Sequence, residues 1–202
     1  MTFWQLVWSD YEASLLDRPE PEPRWKSRLF APPRLILNPS LQFALLVRMA
    51  QKGPRWLLHP IRWLQIVLFS SEMYVFRGPA AIDLGPAIRF PHPVNILIGG
   101  GTKIGAGVTI YHEVTMGGDR HWTRGKPADR SPRIGDRAVI YSKVSIQGPY
   151  TVGDDAVVGI QVVLDEDVPP GALKSRSSLR LAGEWSGEER SYWRGIEATD
   201  SS

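Results

Sequence analysis

The sequence predicts a mainly β protein: a parallel β-helix of hexapeptide repeats behind a short α-helical N-terminal region. Three observations carry this expectation. From Ile134 an aliphatic residue recurs at every sixth position through Ile140, Ile146, Val152, Val158 and Leu164. The same step runs upstream through Ile98, Ile104, Ile110 and Met116. Small or β-branched residues (Val108, Val114, Ala138, Val144, Ala156, Val162) stand four places after the anchors, and glycine often follows an anchor directly, as at Gly99, Gly105, Gly135, Gly153 and Gly159. A sustained six-residue period makes each hexapeptide one short strand and a turn, and stacking the coils buries the aliphatic column. A sandwich, whose strands and loops vary in length, would not hold this spacing.

Along the chain three segments are expected: a linker and helical region over residues 1–77, the β-helix over 78–172 and a tail over 173–202. The alternating Pro-Glu run at residues 19–23 reads as an extended linker. Asn38-Pro39-Ser40 caps a helix with Phe43, Leu46, Val47 and Ala50 at helical spacing, stopped by Gly53-Pro54. A second helix is expected over 60–76.

Composition narrows the function classes. There is no cysteine among the 202 residues, which excludes disulfides, zinc-thiolate sites and a thioester formed on the enzyme. The net charge of +3 is too small and too dispersed beyond the N-terminal region for a nucleic-acid footprint. Met1 to Trp8 lacks the basic start of a signal peptide, so a cytoplasmic location is expected. Residues 56–76 are apolar but interrupted by His59, Pro60, Arg62 and Glu72, short of a membrane span. Between Pro23 and Ser71 there are eight Lys or Arg and no Asp or Glu. Two readings fit that asymmetry: amphipathic helices packed on the protein or on a neighbouring subunit, and a patch that meets the inner membrane through Trp56, Trp63, Phe69 and the cations.

Four stretches then carry a family resemblance: Pro91-His92-Pro93-Val94-Asn95-Ile96 within the run 85–98, Val114-Thr115-Met116-Gly117-Gly118, Asp129-Arg130-Ser131-Pro132-Arg133-Ile134, and Asp167-Val168-Pro169-Pro170-Gly171-Ala172. In order and spacing, over residues 79–172, they resemble the hexapeptide-repeat acyltransferases of the serine O-acetyltransferase group. The resemblance implies a left-handed β-helix, a homotrimer, and acetyl-CoA as co-substrate bound between coils of adjacent subunits, with acetyl passed to a hydroxyl. Where the family has Asp before the catalytic His this chain has Pro91. Where the second active-site His stands it has Ser131, and the orienting acid fifteen residues before the catalytic His is Arg77 here. With the basic N-terminus, these departures look like the branch associated with exopolysaccharide and capsule assembly. A saccharide hydroxyl is therefore the expected acceptor, with serine as the alternative.

Acetyl transfer to an alcohol needs a base, alignment and oxyanion donors. His92 is the expected base: an imidazole titrates near neutrality, and the six-residue step slips by two beside it. Glu72 and Asp83 are the nearest acids upstream that could orient it. His121, within Gly118-Asp119-Arg120-His121, is expected to take the role vacated at Ser131, although an ordinary solvated loop reads equally well. Asp129, Arg130, Ser131 and Trp122 are candidate acceptor contacts, with Arg130 in the place of the family's carboxylate-holding Arg. Gly117 and Gly118 leave room for the CoA arm, and Lys174 and Arg176 are candidate partners of its phosphates. His112, two places past an anchor, is expected to face outward in a structural role. A metal held by three histidines, as in gamma-type carbonic anhydrases, fits the spacing of His92, His112 and His121 poorly, so no metal is expected. A non-catalytic scaffold is the remaining class.

Overall fold

The structure, a computed structural model, describes residues 1–15, 33–34, 37–73, 81–118, 130–181, 183–184 and 186. The N-terminal region supplies α1 (Phe3–Ser14), α2 (Pro39–Lys52), a 3-10 turn (Arg55–Leu57) and α3 (Leu58–Phe69). In α2 the Asn38 side chain accepts from the Ser40 and Leu41 amides, and Gly53 closes the C-terminus, as the sequence predicts. The α1 helix was not anticipated. Its signal is a capping box, in which Thr2 accepts from the Gln5 amide and the Gln5 side chain accepts from the Thr2 amide. The helix expected over 60–76 ends early, because Ser70 turns left-handed (φ 49°) and hands the chain to a strand. The Pro-Glu run at 19–23 lies outside the described residues.

The remainder is a stack of coils. Strands β1 (Glu72–Met73), β3 (Leu97–Ile98), β6 (Thr115–Gly117), β9 (Ser145–Gln147) and β12 (Val163–Leu164) form one parallel sheet. A second contains β2 (Asp83–Leu84), β4 (Lys103–Ile104), β7 (Arg133–Ile134) and β10 (Thr151–Val152). The third contains β5 (Thr109–Ile110), β8 (Val139–Ile140), β11 (Val157–Val158) and β13 (Leu173–Lys174), closed by the antiparallel β14 (Leu179–Arg180). Because β3 to β9 each pair with the strand three onward, the chain visits the sheets in rotation and builds a three-sided parallel β-solenoid. The anchor side chains are the core: Ile98, Ile110, Ile140, Ile146, Val152 and Val158 are each 0 % exposed.

The glycines after anchors have a structural cause at one corner. A Cβ on Gly105 would collide with Asp136, and one on Gly135 would meet Asp154, because each carboxylate reaches back to the coil before it. Asp136 accepts from the Ala106 amide at 2.7 Å, and Asp154 from the Asp136 amide at 2.8 Å. Coil after coil is thus tied by a carboxylate that only glycine accommodates.

The helices cap the first coil. Arg48, 0 % exposed, makes a bidentate pair with Asp10 of α1 at 2.7 and 2.9 Å and donates to the carbonyls of Leu84 and Gly85. Asp10 also accepts from the Ile88 amide at 2.9 Å. Burial raises the Asp10 carboxyl above its ordinary range, against the pull of Arg48. One buried ion pair therefore joins α1, α2 and the coil that leads to His92.

Candidate active site

The His92 segment is a bulge in the solenoid. Arg89 pairs with Thr109 and Leu97 with Thr115, so the chain takes eight residues where the next coil takes six. The two extra residues fall in the segment that holds Pro91 and His92, at the corner between the third sheet and the first. The prolines on either side restrict the backbone, and the following corner is closed by Asn95 in the left-handed region (φ 55°). The same corner repeats at Glu113, Lys143 and Gln161 with φ of 57°, 62° and 59°.

Hydrogen bonds from the helical region fix this bulge from both sides. Ser40 Oγ, in the first turn of α2, donates to the Pro91 carbonyl at 3.0 Å. Ser71 Oγ reaches the Pro93 carbonyl at 3.1 Å and accepts from the Ile96 amide at 2.9 Å. His92 itself is exposed and lines two cavities. One, of about 750 Å³, lies against Pro33, Leu37, Pro39 and Val94. The other, of about 440 Å³, runs between α1, α2 and the bulge past Tyr11, Arg34, Arg89 and Tyr111. Burial lowers the Arg89 pKa, against the pull of Tyr111, so this wall presents a poorly hydrated cation.

The next coil contributes two rings that the sequence reading did not assign to the site. His112 lies 5.9 Å from His92 between ring centroids, edge-on, and Tyr111 lies 6.4 Å from it. Tyr111 stacks on Tyr141 of the following coil at 4.8 Å with 7° between planes. His112 Nδ1 is buried with no hydrogen-bond partner among the described residues. The expectation that His112 merely faces outward is corrected to a half-buried place beside His92. Its position was recoverable, since Tyr111-His112-Glu113 occupies on the next coil the corner that holds His92.

Other expected residues lie elsewhere. Arg130 and Ser131 sit at the corner between the first sheet and the second, one full sheet away from His92 in the same chain. Ser131 is buried and donates to the Gly100 carbonyl at 3.1 Å. Among the described residues nothing lies within 4 Å of where a Cβ on Gly117 would stand, whereas a Cβ on Gly118 would press on Arg130 and Ser131 at 3.2 Å. Lys174 is held by Glu166 at 2.6 Å and Asp165 at 3.3 Å, and the hydrogen bond to Glu166 raises its pKa. Arg176 is exposed and reaches Gln161 at 3.4 Å. Asp83 stands on the second sheet, which does not border the His92 corner. Glu72 lies in β1 beside Leu97, and its side chain is outside the described residues. His121, Trp122, Asp129 and Arg77 also lie outside the described residues. Among the described residues no group of three His, Cys, Asp or Glu is placed to hold a metal.

A hexapeptide solenoid with an imidazole pushed out of one coil beside a cavity fits the acyl-transferring enzymes that the sequence resembles. No family model matches the chain. The serine acetyltransferase of Helicobacter pylori strain 26695 is 31 % identical over 150 residues, covering 72 % of this chain and 82 % of that enzyme. The serine acetyltransferase of Mycobacterium tuberculosis is 32 % identical over 123 residues, 61 % of this chain and 50 % of that one. Among solved structures, soybean serine acetyltransferase complexed with serine superposes with a TM-score of 0.66 at 25 % identity, over 85 % of this chain and 66 % of that one. The Brucella abortus serine acetyltransferase shares the fold with a TM-score of 0.67 at 21 % identity, over 91 % of this chain and 70 % of that one. The chain belongs to the serine acetyltransferase family, and the expected enzyme class, an O-acetyltransferase, stands. It spans half the length of the Mycobacterium enzyme and just under two thirds of the soybean one.

These relatives correct the expected acceptor. The saccharide reading and its capsule branch rest on Pro91, Ser131 and the basic N-terminus, but relatives 31 % to 32 % identical over 123 to 150 residues are serine acetyltransferases. The physical reason is that a motif departure removes one contact from a site; it does not by itself create a sugar subsite.

Proposed function

We propose that the protein transfers acetyl from acetyl-CoA to the hydroxyl of serine, with His92 as the general base. The observation that carries this reading is the exposed His92 on a two-residue bulge, lining a cavity walled by α1, α2 and the cations Arg34 and Arg89. In the step, His92 takes the hydroxyl proton as the serine oxygen attacks the thioester carbonyl. The carbon–sulfur bond then breaks, and the CoA sulfur leaves and takes up a proton. The resemblance gives Arg130 the substrate carboxylate; the sequence pattern suggests Asp129, Ser131, His121 and Trp122 around the acceptor, the CoA arm along Gly117 and Gly118, and Lys174 and Arg176 toward its phosphates.

The same reading makes the coils left-handed and the working unit a homotrimer. Its support is the separation of the two halves of the site: His92 and Arg130 occupy different corners of one chain, and adjacent copies packed side by side would bring one corner to the other. The test is thiol release from acetyl-CoA with L-serine as acceptor, paired with detection of O-acetylserine. Serine-dependent turnover is expected. Release that occurs only without serine, or O-acetylation of sugars but not of serine, would overturn the reading.

A further inference from the structure

Acetyl transfer needs a hydrogen-bond donor for the thioester oxygen as well as a base for the hydroxyl. Beside His92 stands a second imidazole, His112, with 5.9 Å between ring centroids and 69° between planes. The two are held in fixed register. The Glu113 amide donates to the Val94 carbonyl at 2.9 Å, and the Lys143 amide donates to the His112 carbonyl at 3.1 Å, so the His112 corner is bonded to the coil on either side. Tyr111, stacked on Tyr141, fixes the residue before it.

Burial decides which nitrogen of His112 carries the proton. Nδ1 is enclosed and has no hydrogen-bond partner among the described residues. A proton there would be a buried donor without an acceptor, the costlier arrangement, so the neutral ring keeps its proton on Nε2. The ring is half-buried overall, which leaves Nε2 as its accessible nitrogen. The spacing suits one acyl carbon between two imidazoles. A base stands about 2.6–3.2 Å from the attacking oxygen and an oxyanion donor about 2.7–3.1 Å from the carbonyl oxygen, and in the tetrahedral intermediate both oxygens belong to one carbon. Two such contacts end to end span about 5–6 Å, the scale of the separation between the rings.

We infer that His112 is a further catalytic residue, the oxyanion donor, whose Nε2–H hydrogen-bonds the thioester oxygen while His92 takes the hydroxyl proton. The inference rests on the proposed acetyl transfer with His92 as base. As the hydroxyl oxygen bonds to the acyl carbon, the carbonyl π pair moves onto the thioester oxygen and is held there by Nε2–H. When the carbon–sulfur bond breaks, that pair re-forms the carbonyl. The sulfur keeps the bonding electrons and takes the proton from His92, and His112 retains its own.

The test compares His112→Phe, which keeps a flat ring and cannot donate, with His112→Gln, whose amide can. His112→Phe lowers kcat for serine about 10²–10³-fold with little change in KM, and His112→Gln recovers about tenfold of the loss. Circular dichroism and the melting temperature verify that both variants are folded. Wild-type kcat in His112→Phe overturns the inference, as does an equal loss in the two variants, which would give the ring a packing role. Acetyl-CoA hydrolysis without serine separates the donor from the choice of acceptor. Water then replaces the hydroxyl and the same oxyanion forms, so His112→Phe slows hydrolysis by a similar factor. A wild-type protein that hydrolyses acetyl-CoA but ignores serine defeats the acceptor and leaves the donor standing; hydrolysis undiminished in His112→Phe defeats the donor.

Discussion

The Ser40 hydroxyl donates to the Pro91 carbonyl at 3.0 Å, across 51 positions of sequence. It ties the first turn of α2 to the peptide immediately before His92. Ser71 does the same on the far side, at Pro93. An exposed imidazole on a bulge has few contacts of its own, so its direction depends on backbone held from outside.

Removing the first of these bonds is expected to act on turnover. Ser40→Ala should lower kcat several-fold with little change in KM for serine, and cost about 1 kcal/mol of stability. Ser40→Thr, which keeps the hydroxyl, restores turnover. Steady-state kinetics beside a thermal melt separate the two effects: a fall in the melting temperature with unchanged kcat would show that Ser40 acts on stability alone.

Arg48 is the second point of leverage. Arg48→Met leaves Asp10 buried without its partner and is expected to cost about 3–5 kcal/mol at neutral pH. The pH dependence has a definite sign. Desolvation already raises the Asp10 carboxyl, and loss of Arg48 raises it further. A raised acid stabilises the fold below its unfolded pKa, near 3.9, and that contribution is lost as pH rises through the folded value. The variant is therefore closest to wild type in acid and falls behind toward neutrality. Urea melts across that range check it; a deficit independent of pH would contradict the prediction.

The glycine corner has its own test. A Cβ at Gly135 meets the Gly153 carbonyl carbon at 2.7 Å, and that backbone is fixed in the next coil. Gly135→Ala should cost about 1–3 kcal/mol. Gly117→Ala, where the Cβ meets none of the described residues within 4 Å, should leave the melting temperature unchanged. Thermal melts of the two variants make the comparison.

The solenoid was legible because its signal is local and repeated. Ile134 through Leu164 state the period outright, and the slip beside His92 marks the bulge. The Asn38 cap and the Gly53 stop were equally readable, being contained within a few residues. The α1 helix is less legible: Thr2 and Gln5 carry its capping box, but tryptophans, prolines and charges crowd the sequence that follows. What could not be read is what distant residues make together: Arg48 meets Asp10 across 38 positions and Ser40 meets Pro91 across 51. His112 falls between these cases, its neighbour revealed only once the coils are stacked. The acceptor is not legible at Pro91 and Ser131, since a departure from the family motif there does not specify a different substrate.

The most direct measurement is the rate of acetyl transfer from acetyl-CoA to L-serine by wild type and by His92→Ala, with circular dichroism and sedimentation to verify the fold and assembly. Loss of the proton acceptor should slow turnover about 10²–10⁴-fold in an otherwise intact protein. Serine acetylation at the wild-type rate by that variant would contradict the assignment of His92 as the base.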